Sequence, residues 1–231
     1  MNNEIKCLDH GFVKLLNISS VVDDKELLEQ APAMSARISF NNFDEKRTKA
    51  QDMNLVEYLI KNHHSSPVEM TEIWLEMKLP IFIARQFVRH RTATINEVSG
   101  RYVTLPKEWY IPEVVGGKAT NNKQGQEDTL HIKSQENFKG DLNRACHSSY
   151  NLYKHHLSEG VAPEHARMFL HLNHYTHWIW KQDLSNLMHF LALRLDAHAQ
   201  IEARVYATAI YDLLSLHLPQ TMLLFNKYKR F

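Results

Sequence analysis

Arg89-His90-Arg91-Thr92-Ala93-Thr94-Ile95-Asn96-Glu97-Val98-Ser99-Gly100-Arg101-Tyr102 is the stretch around which the chain is organised. Guanidinium, imidazole, carboxamide, carboxylate and hydroxyl groups follow one another there. The apolar run Ile81-Phe82-Ile83-Ala84 lies directly upstream, with Gln86 and Phe87 leading in. Pro80 suits the first turn of a helix, which predicts a helix over about 80–90. Gln86, Arg89 and His90 then lie three and four residues apart and share a face. Residues 98–105 read as extended. Two readings fit the stretch. One is an anion site with base-edge readers, that is, a nucleotide pocket. The other is a helix end whose cations stabilise the negative pole of the helix dipole.

Upstream, residues 72–77 alternate, with Ile73, Leu75 and Met77 on one face and Trp74 on the other, and predict a strand. Met53, Val56, Ile60 and His63 share a helical face, so 49–62 is an amphipathic helix. His63-His64-Ser65-Ser66-Pro67 stops it, and Pro67 disfavours helical geometry at Ser66. Asp23, Asp24 and Glu26 mark a helix start that Pro32 interrupts or ends. Residues 5–8 and 11–18 read as a strand pair or one bent strand.

Downstream, residues 113–140 hold Gly116, Gly117, Gly125, Gly140 and Asn121-Asn122, which predicts a surface loop with a helix start inside it. Phe138, Leu142, Ala145, Ser149, Leu152 and His156 form the stripe of a long helix ending near Gly160. Pro163 opens another helix, carrying Arg167. Residues 177–181 read as a strand, and Asp183 or Ser185 caps a helix reaching about Leu195. Ala203, Tyr206, Ile210, Leu213 and His217 define a last long helix, with Pro219 at its end. The pattern is α/β (α+β mixed): one helix-rich domain over residues 1–231 with a central mixed sheet.

The 27 basic and 26 acidic residues give a net charge of +1, so bulk attraction to a nucleic acid polymer or a membrane surface is not expected. No long apolar run predicts a membrane span or a leader. The two cysteines, Cys7 and Cys146, have no CxxC spacing and read as reduced thiols of a cytoplasmic protein. The 15 histidines raise the question of metal. His171, His174 and His177 recur every third residue, but a helix turns by roughly 100° per residue, which leaves the outer pair out of line. No metal site is expected.

Glycine-rich phosphate loops are absent, so if phosphates bind here, side chains must carry much of the charge. Arg89, Arg91, Arg101, Arg167 and Arg194 are the candidates, with Gln86 and Asn96 suited to a base edge. Ser99 lacks the glycine two residues upstream that a nucleophile elbow requires. Glu97 is either a base or an ion-pair partner. Difficult redox or carbon chemistry would need a cofactor. A metal-dependent nucleotide hydrolase and a nucleotide- or RNA-binding module are alternatives that spacing alone leaves open.

Arg89-His90-Arg91, seven residues, then Ser99-Gly100-Arg101-Tyr102 resembles the Arg-His-Arg-x7-Ser signature of the flavin-dependent thymidylate synthases. His64-Ser65-Ser66-Pro67-Val68-Glu69 is similar to that family's His-x-Ser/Thr-Pro-x-Glu segment. Pro80 to Gln86 resembles its lead-in helix, and Leu193-Arg194-Leu195-Asp196-Ala197-His198-Ala199-Gln200 its Leu-Arg-x-Asp-x-His-Ala-Gln helix. These ordered blocks extend over roughly residues 36–217.

The resemblance implies a mixed α/β domain assembled as a homotetramer with active sites at subunit interfaces. It implies conversion of dUMP to dTMP, with FAD as cofactor, methylenetetrahydrofolate as carbon donor and NADPH as reductant. Gln86, Arg89, Glu97, Ser99, Gly100, Arg101, Arg167 and Arg194 match dUMP-binding positions. Ser39, His64, Ser66, Arg89, His90, Arg91, Glu97 and His198 match FAD-contacting positions, with His189 as a further candidate. Arg194, Ser99 and His64 are the positions closest to the chemistry: Arg194 on the uracil edge, Ser99 as a binding hydroxyl, and His64 where folate or NADPH enters. Thr94 stands where serine is usual. Asp183, Ser185 and His189 stand where family members have Asn, Arg and Asn, which removes a positive charge near the flavin.

Overall fold

The computed structural model describes residues 3–43, 46–118 and 126–228. Asn121, Asn122 and Gly125 of the glycine-rich stretch lie outside them. β1 (Glu4–Cys7) and β2 (Gly11–Ser19) form a hairpin, turning through Leu8 in a left-handed conformation, φ 54°. β3 (Glu72–Pro80) pairs with β2, and β7 (Tyr175–Asp183) pairs with β3 along its length, from Glu72 opposite Asp183 to Pro80 opposite Tyr175. β4 (Thr94–Glu97) adds to the other side of β7. The order is β1-β2-β3-β7-β4, and every ladder is antiparallel. The α/β class holds, but the central sheet is antiparallel where a mixed one was expected. β3 enters at Glu72 opposite Ser19, where β2 leaves, and β7 enters at Tyr175 opposite Pro80, where β3 leaves, so adjacent strands run in opposite directions.

Alternation sets the two faces of this sheet. Val13, Leu15, Ile73, Leu75, Met77, Leu79, Trp178 and Trp180 all point to one side and are buried. Helices α4 (Ile81–Phe87), α7 (Leu184–Arg194) and α8 (Ile201–His217) cover that side. Phe87 sits at the junction, its ring 4.8 Å from Phe190 and 6.0 Å from Trp180. The opposite face carries the ion pairs Lys181–Glu72 at 3.0 Å and Lys14–Glu76 at 3.4 Å beside the partly exposed Trp74 and Ile179. That division is usual for an antiparallel sheet with one solvated face.

The remaining helices frame the ends. Asp24 caps a short 3₁₀ turn (Lys25–Gln30), and Pro32 then sits in the first turn of α1 (Ala31–Ala36), which it opens instead of ending. α2 (Lys49–Lys61) starts in a capping box between Thr48 and Gln51. Residues expected to stop it form a separate short helix, α3 (Ser65–Glu69). Pro67 lies in the first turn of α3, where its missing N–H has no intrahelical partner to lose, so Ser66 is helical after all. α1, α2 and α3 pack together, and α3 meets α7. The sequence stretch 113–140 holds the two-stranded ribbon β5 (Gly116–Lys118) and β6 (Gln126–Thr129), then the start of α5 (Ile132–Ser158). α6 (Pro163–Ala166) runs into a 3₁₀ turn (Arg167–Phe169). α8 ends at His217, just before Pro219 as expected, and Pro219 also opens α9 (Pro219–Lys227) at the helix start where proline is favoured.

Candidate active site

Three clefts hold most of the sequence-predicted residues. The first, of about 810 Å³, is lined by Arg85, Gln86, Arg89, Arg194, His198, Gln200 and Arg204 among others, with no carboxylate in its lining. α4 supplies Gln86, and the turn after it supplies Arg89; α7 supplies Arg194 at its last position. α4 stops at Phe87, shorter than expected, because the 3₁₀-like bond from His90 N to Phe87 O closes its end. His90 thereby turns inward, half-buried, with its ring 4.9 Å from Phe190.

Arg194 is half-buried and held by two neutral acceptors. Its Nε donates to His90 Nε2 at 3.3 Å, and an Nη donates to the Gln86 carbonyl at 3.2 Å. Burial pulls the Arg194 pKa below the ordinary guanidinium value, and its charge persists because that ordinary value is so high. Burial, then the charge of Arg194, then His189, pushes the His90 pKa down to about 4, so its ring is neutral at pH 7 and has a lone pair to offer. Gln86 Nε2 donates to Gln200 Oε1 at 2.5 Å, tying α4 to the start of α8.

The second cleft, of about 340 Å³, is lined by Ile81, Glu97, Val98, Ser99, Gly100, Leu105, Arg167, Leu170, Tyr175 and Thr176. Residues 98–105 are a turn, not the extended segment expected. β4 ends at Glu97, and Tyr102 N and Val103 N both bond back to Ser99 O, at 3.0 and 3.2 Å. Two tyrosines of α5 take over the backbone groups that a strand would have paired. Leu105 N donates to Tyr153 Oη at 2.9 Å, and Tyr150 Oη donates to Leu105 O at 3.0 Å. Gly100 is buried against this clamp. A Cβ there would lie 3.0 Å from Leu105 Cδ1 and 3.4 Å from Arg167 Cδ. Thr176 Oγ1 donates to Glu97 Oε1, and Arg101 N donates to Ser99 Oγ at 3.3 Å. Arg101 pairs through Nε with Glu164 at 3.1 Å over a shallow concavity that Arg167 also lines.

The third cleft, of about 660 Å³, joins Ser39, His64 and Ser66 with Arg37, Phe40, Arg47 and Tyr58. The His64 ring tilts over Tyr58 at 5.6 Å, and Arg37 forms a buried ion pair with Asp52. No residue lines both the first and the second cleft, and the two open at opposite ends of α4, Ile81 lining one and Gln86 the other. One chain therefore brings Gln86, Arg89, Arg194 and His198 together, and Glu97, Ser99, Gly100 and Arg167 together, without merging the groups. Arg91 and His189 are exposed and line none of the three clefts. Asp183 spends its carboxylate on the start of α7, accepting from Asn186 N at 2.9 Å and Asn186 Nδ2 at 2.8 Å. The histidine row disperses. His174 is buried and His177 bonds Glu76 at 2.9 Å. Among the described residues no three His, Cys, Asp or Glu side chains are grouped as metal ligands, and no helix is long and apolar enough to cross a membrane.

Sequence reasoning missed Gln200, Arg85 and Arg204 of the first cleft, Thr176 of the second, and the Tyr150–Tyr153 clamp. The tyrosines face inward from α5, and nothing local marks them as supports of a loop far away in the chain.

Both cysteines are buried, and burial raises both thiols, Cys7 to about 12, so neither is set to act as a thiolate. Residues 20–220 match the family described as thymidylate synthase complementing protein. A flavin-dependent thymidylate synthase of Gluconobacter oxydans is 40% identical over 227 residues, covering 96% of this chain and 72% of that protein. The chain belongs to the flavin-dependent thymidylate synthases. A second relative of that name, from Thermus thermophilus, is 41% identical over 224 residues, covering 97% of this chain and 78% of the relative. The UMP/dUMP methylase PolB of Streptomyces cacaoi, solved with 5-Br dUMP, superposes with a TM-score of 0.82 at 25% identity, over 98% of this chain and 99% of that one. The chain is thus an enzyme of the flavin-dependent thymidylate synthase type.

Proposed function

We propose that the chain, acting as one domain in a homotetramer, converts dUMP to dTMP with bound FAD, methylenetetrahydrofolate as carbon donor and NADPH as reductant. The observation that carries this reading is Arg194, half-buried in a cleft with three further arginines and no carboxylate. Asp196 bonds His198 beside this cleft, while Arg194, held by neutral acceptors, keeps its positive charge for a ligand.

The first and second clefts are two halves of one dUMP site, met by different subunits. In the second half Arg101, Arg167 and the Ser99 hydroxyl hold the phosphate, a guanidinium fork matching its oxygens. Gly100, with no side chain, lets backbone approach the ligand. In the first half Gln86 and Arg194 face the pyrimidine. As a nucleophilic carbon develops at C5, negative charge spreads onto the ring oxygen, and Arg194 donates to it. Ser99 binds and does not attack.

The third cleft suits an aromatic, phosphate-bearing group. Arg47 supplies a cationic edge, Phe40 and Tyr58 supply flat apolar surface, and Ser39, Ser66 and His64 supply polar contacts, while Arg37 beneath them is paired with Asp52. Arg89 and His198 extend such contacts from the first cleft, and His90, Arg91, Glu97 and His189 complete the candidate FAD set. His64 stands on the side of the flavin where folate or NADPH enters. When bound, the flavin supplies the hydride that the transferred carbon needs to become a methyl group. The protein is expected to act in the cytoplasm.

Arg194→Ala tests the reading. Retained FAD with dUMP turnover lowered by about 10²-fold or more is expected. Unchanged turnover would remove Arg194 from the chemistry.

A further inference from the structure

We propose that His90 is a positioning residue for Arg194, and that it orients the guanidinium toward the pyrimidine independently of any contact it makes with the cofactor. This rests on the reading of the first cleft as the pyrimidine half of the dUMP site. Arg194 is long and flexible, and an unconstrained arginine loses much of its rotamer freedom on binding. Here two acceptors fix it before a ligand arrives: His90 Nε2 at 3.3 Å on Nε, and the Gln86 carbonyl at 3.2 Å on an Nη. The other N–H groups of the fork are left for the cleft.

The chemistry of the two acceptors matters more than their number. Arginines are commonly oriented by carboxylates, which would neutralise the charge the ligand needs. A carbonyl and a neutral imidazole fix the geometry and leave the full positive charge in place. His90 is itself held in turn. The bond from His90 N to Phe87 O sets its backbone, and the edge of Phe190 packs on its ring at 4.9 Å. Burial and, after it, the charge of Arg194 favour the neutral ring that has the lone pair.

The test measures dUMP binding by calorimetry on protein saturated with FAD, for wild type, His90→Leu, His90→Gln, Arg194→Ala and the double variant His90→Leu/Arg194→Ala. Leucine removes the acceptor and keeps an apolar side chain against Phe190. Glutamine puts an amide oxygen near the position of Nε2. The expected result is a dUMP affinity roughly ten-fold or more lower for His90→Leu, recovered in large part by His90→Gln. The double variant is expected to be no weaker than Arg194→Ala alone, since one interaction cannot be lost twice. If His90→Leu does not fold, His90→Phe carries the same test with a ring that lacks the acceptor.

Unchanged dUMP affinity in the acceptor-less variants, a defect that saturating FAD abolishes, or additive effects in the double variant would each overturn the proposal. The failure of the underlying reading looks different: there Arg194→Ala itself leaves dUMP affinity unchanged.

Discussion

Mixing two defective chains tests directly the proposal that the two clefts are halves of one dUMP site completed where two chains meet. Arg194→Ala destroys the first cleft and Arg167→Ala the second, and the two clefts share no lining residue. Each variant alone is expected to lose turnover by about 10²-fold, the usual consequence of removing one charge-stabilising donor. In hybrid tetramers a working site needs an intact Arg194 from one chain and an intact Arg167 from its neighbour. With the two variants co-expressed in equal amounts and assembled at random, the chance of each is one half. About a quarter of the sites are then intact, an activity about 25-fold above either parent. The chains carry two different tags, and tandem affinity purification isolates the hybrids for assay of dTMP formation. Hybrids no more active than the mean of their parents would refute the divided site and place both arginines in one chain's chemistry.

Three further outcomes are expected. Arg37 and Asp52 form an ion pair exposed by only 6% and 4%, so Arg37→Met, which strands the carboxylate, is expected to cost about 3–5 kcal/mol in urea unfolding, and Arg37→Met/Asp52→Leu to recover much of it; a neutral single variant would contradict this. Burial lowers the pKa of His174, 2% exposed, and of His90, each to about 4. The folded state therefore keeps both neutral while the unfolded chain takes up protons from about pH 6.5 downward. Stability is full above that pH and falls as pH drops toward 4, by an amount on the order of 3 kcal/mol for His174. Unfolding midpoints measured from pH 7.5 to 5 are expected to fall, with His174→Phe flattening part of the slope; a flat wild-type profile would count against the buried neutral rings. Glu164 holds Arg101 at 3.1 Å in a half-exposed pair that would compete with the phosphate of the proposed dUMP site. Glu164→Gln is expected to lower the KM for dUMP by up to about five-fold, the worth of an exposed pair, and a raised KM would show that Glu164 orients Arg101 for the ligand.

Much of the fold could be read from the sequence because the signals were local. Alternation in β3 and proline at the start of α4 set those elements, and the helical stripe of α8 matched its buried residues Ala203, Tyr206, Ile210 and Leu213. Pro32 and Pro67 read as breakers, yet each sits in a first turn, where proline costs no hydrogen bond, whereas Pro219 does follow the end of α8 and also opens α9. Residues 98–105 carried the composition of a strand, but their partners are Tyr150 and Tyr153, which no local pattern reveals. The sheet's direction was equally hidden, because register depends on which strands meet and not on what each contains.

The site was legible as a set of residues and not as a geometry. The family-like blocks named candidates, among them His64, Arg89, Ser99 and Arg194. Which of them share a cleft follows from α4 separating Ile81 from Gln86, and from β4 ending at Glu97. The contact between His90 and Arg194 joins residues 104 positions apart, and only the packing of α4 against α7 and α8 brings them together.

The central claim, that this chain methylates dUMP with a bound flavin, is tested most directly by one assay on the purified protein. FAD content is read from visible absorbance, and dTMP formation is followed by mass spectrometry with dUMP, methylenetetrahydrofolate and NADPH, omitting each in turn. The expected result is a yellow protein, or one that takes up FAD, forming dTMP only when every component is present. A protein that neither binds FAD nor oxidises NADPH, and forms no dTMP from the complete mixture, would contradict the account.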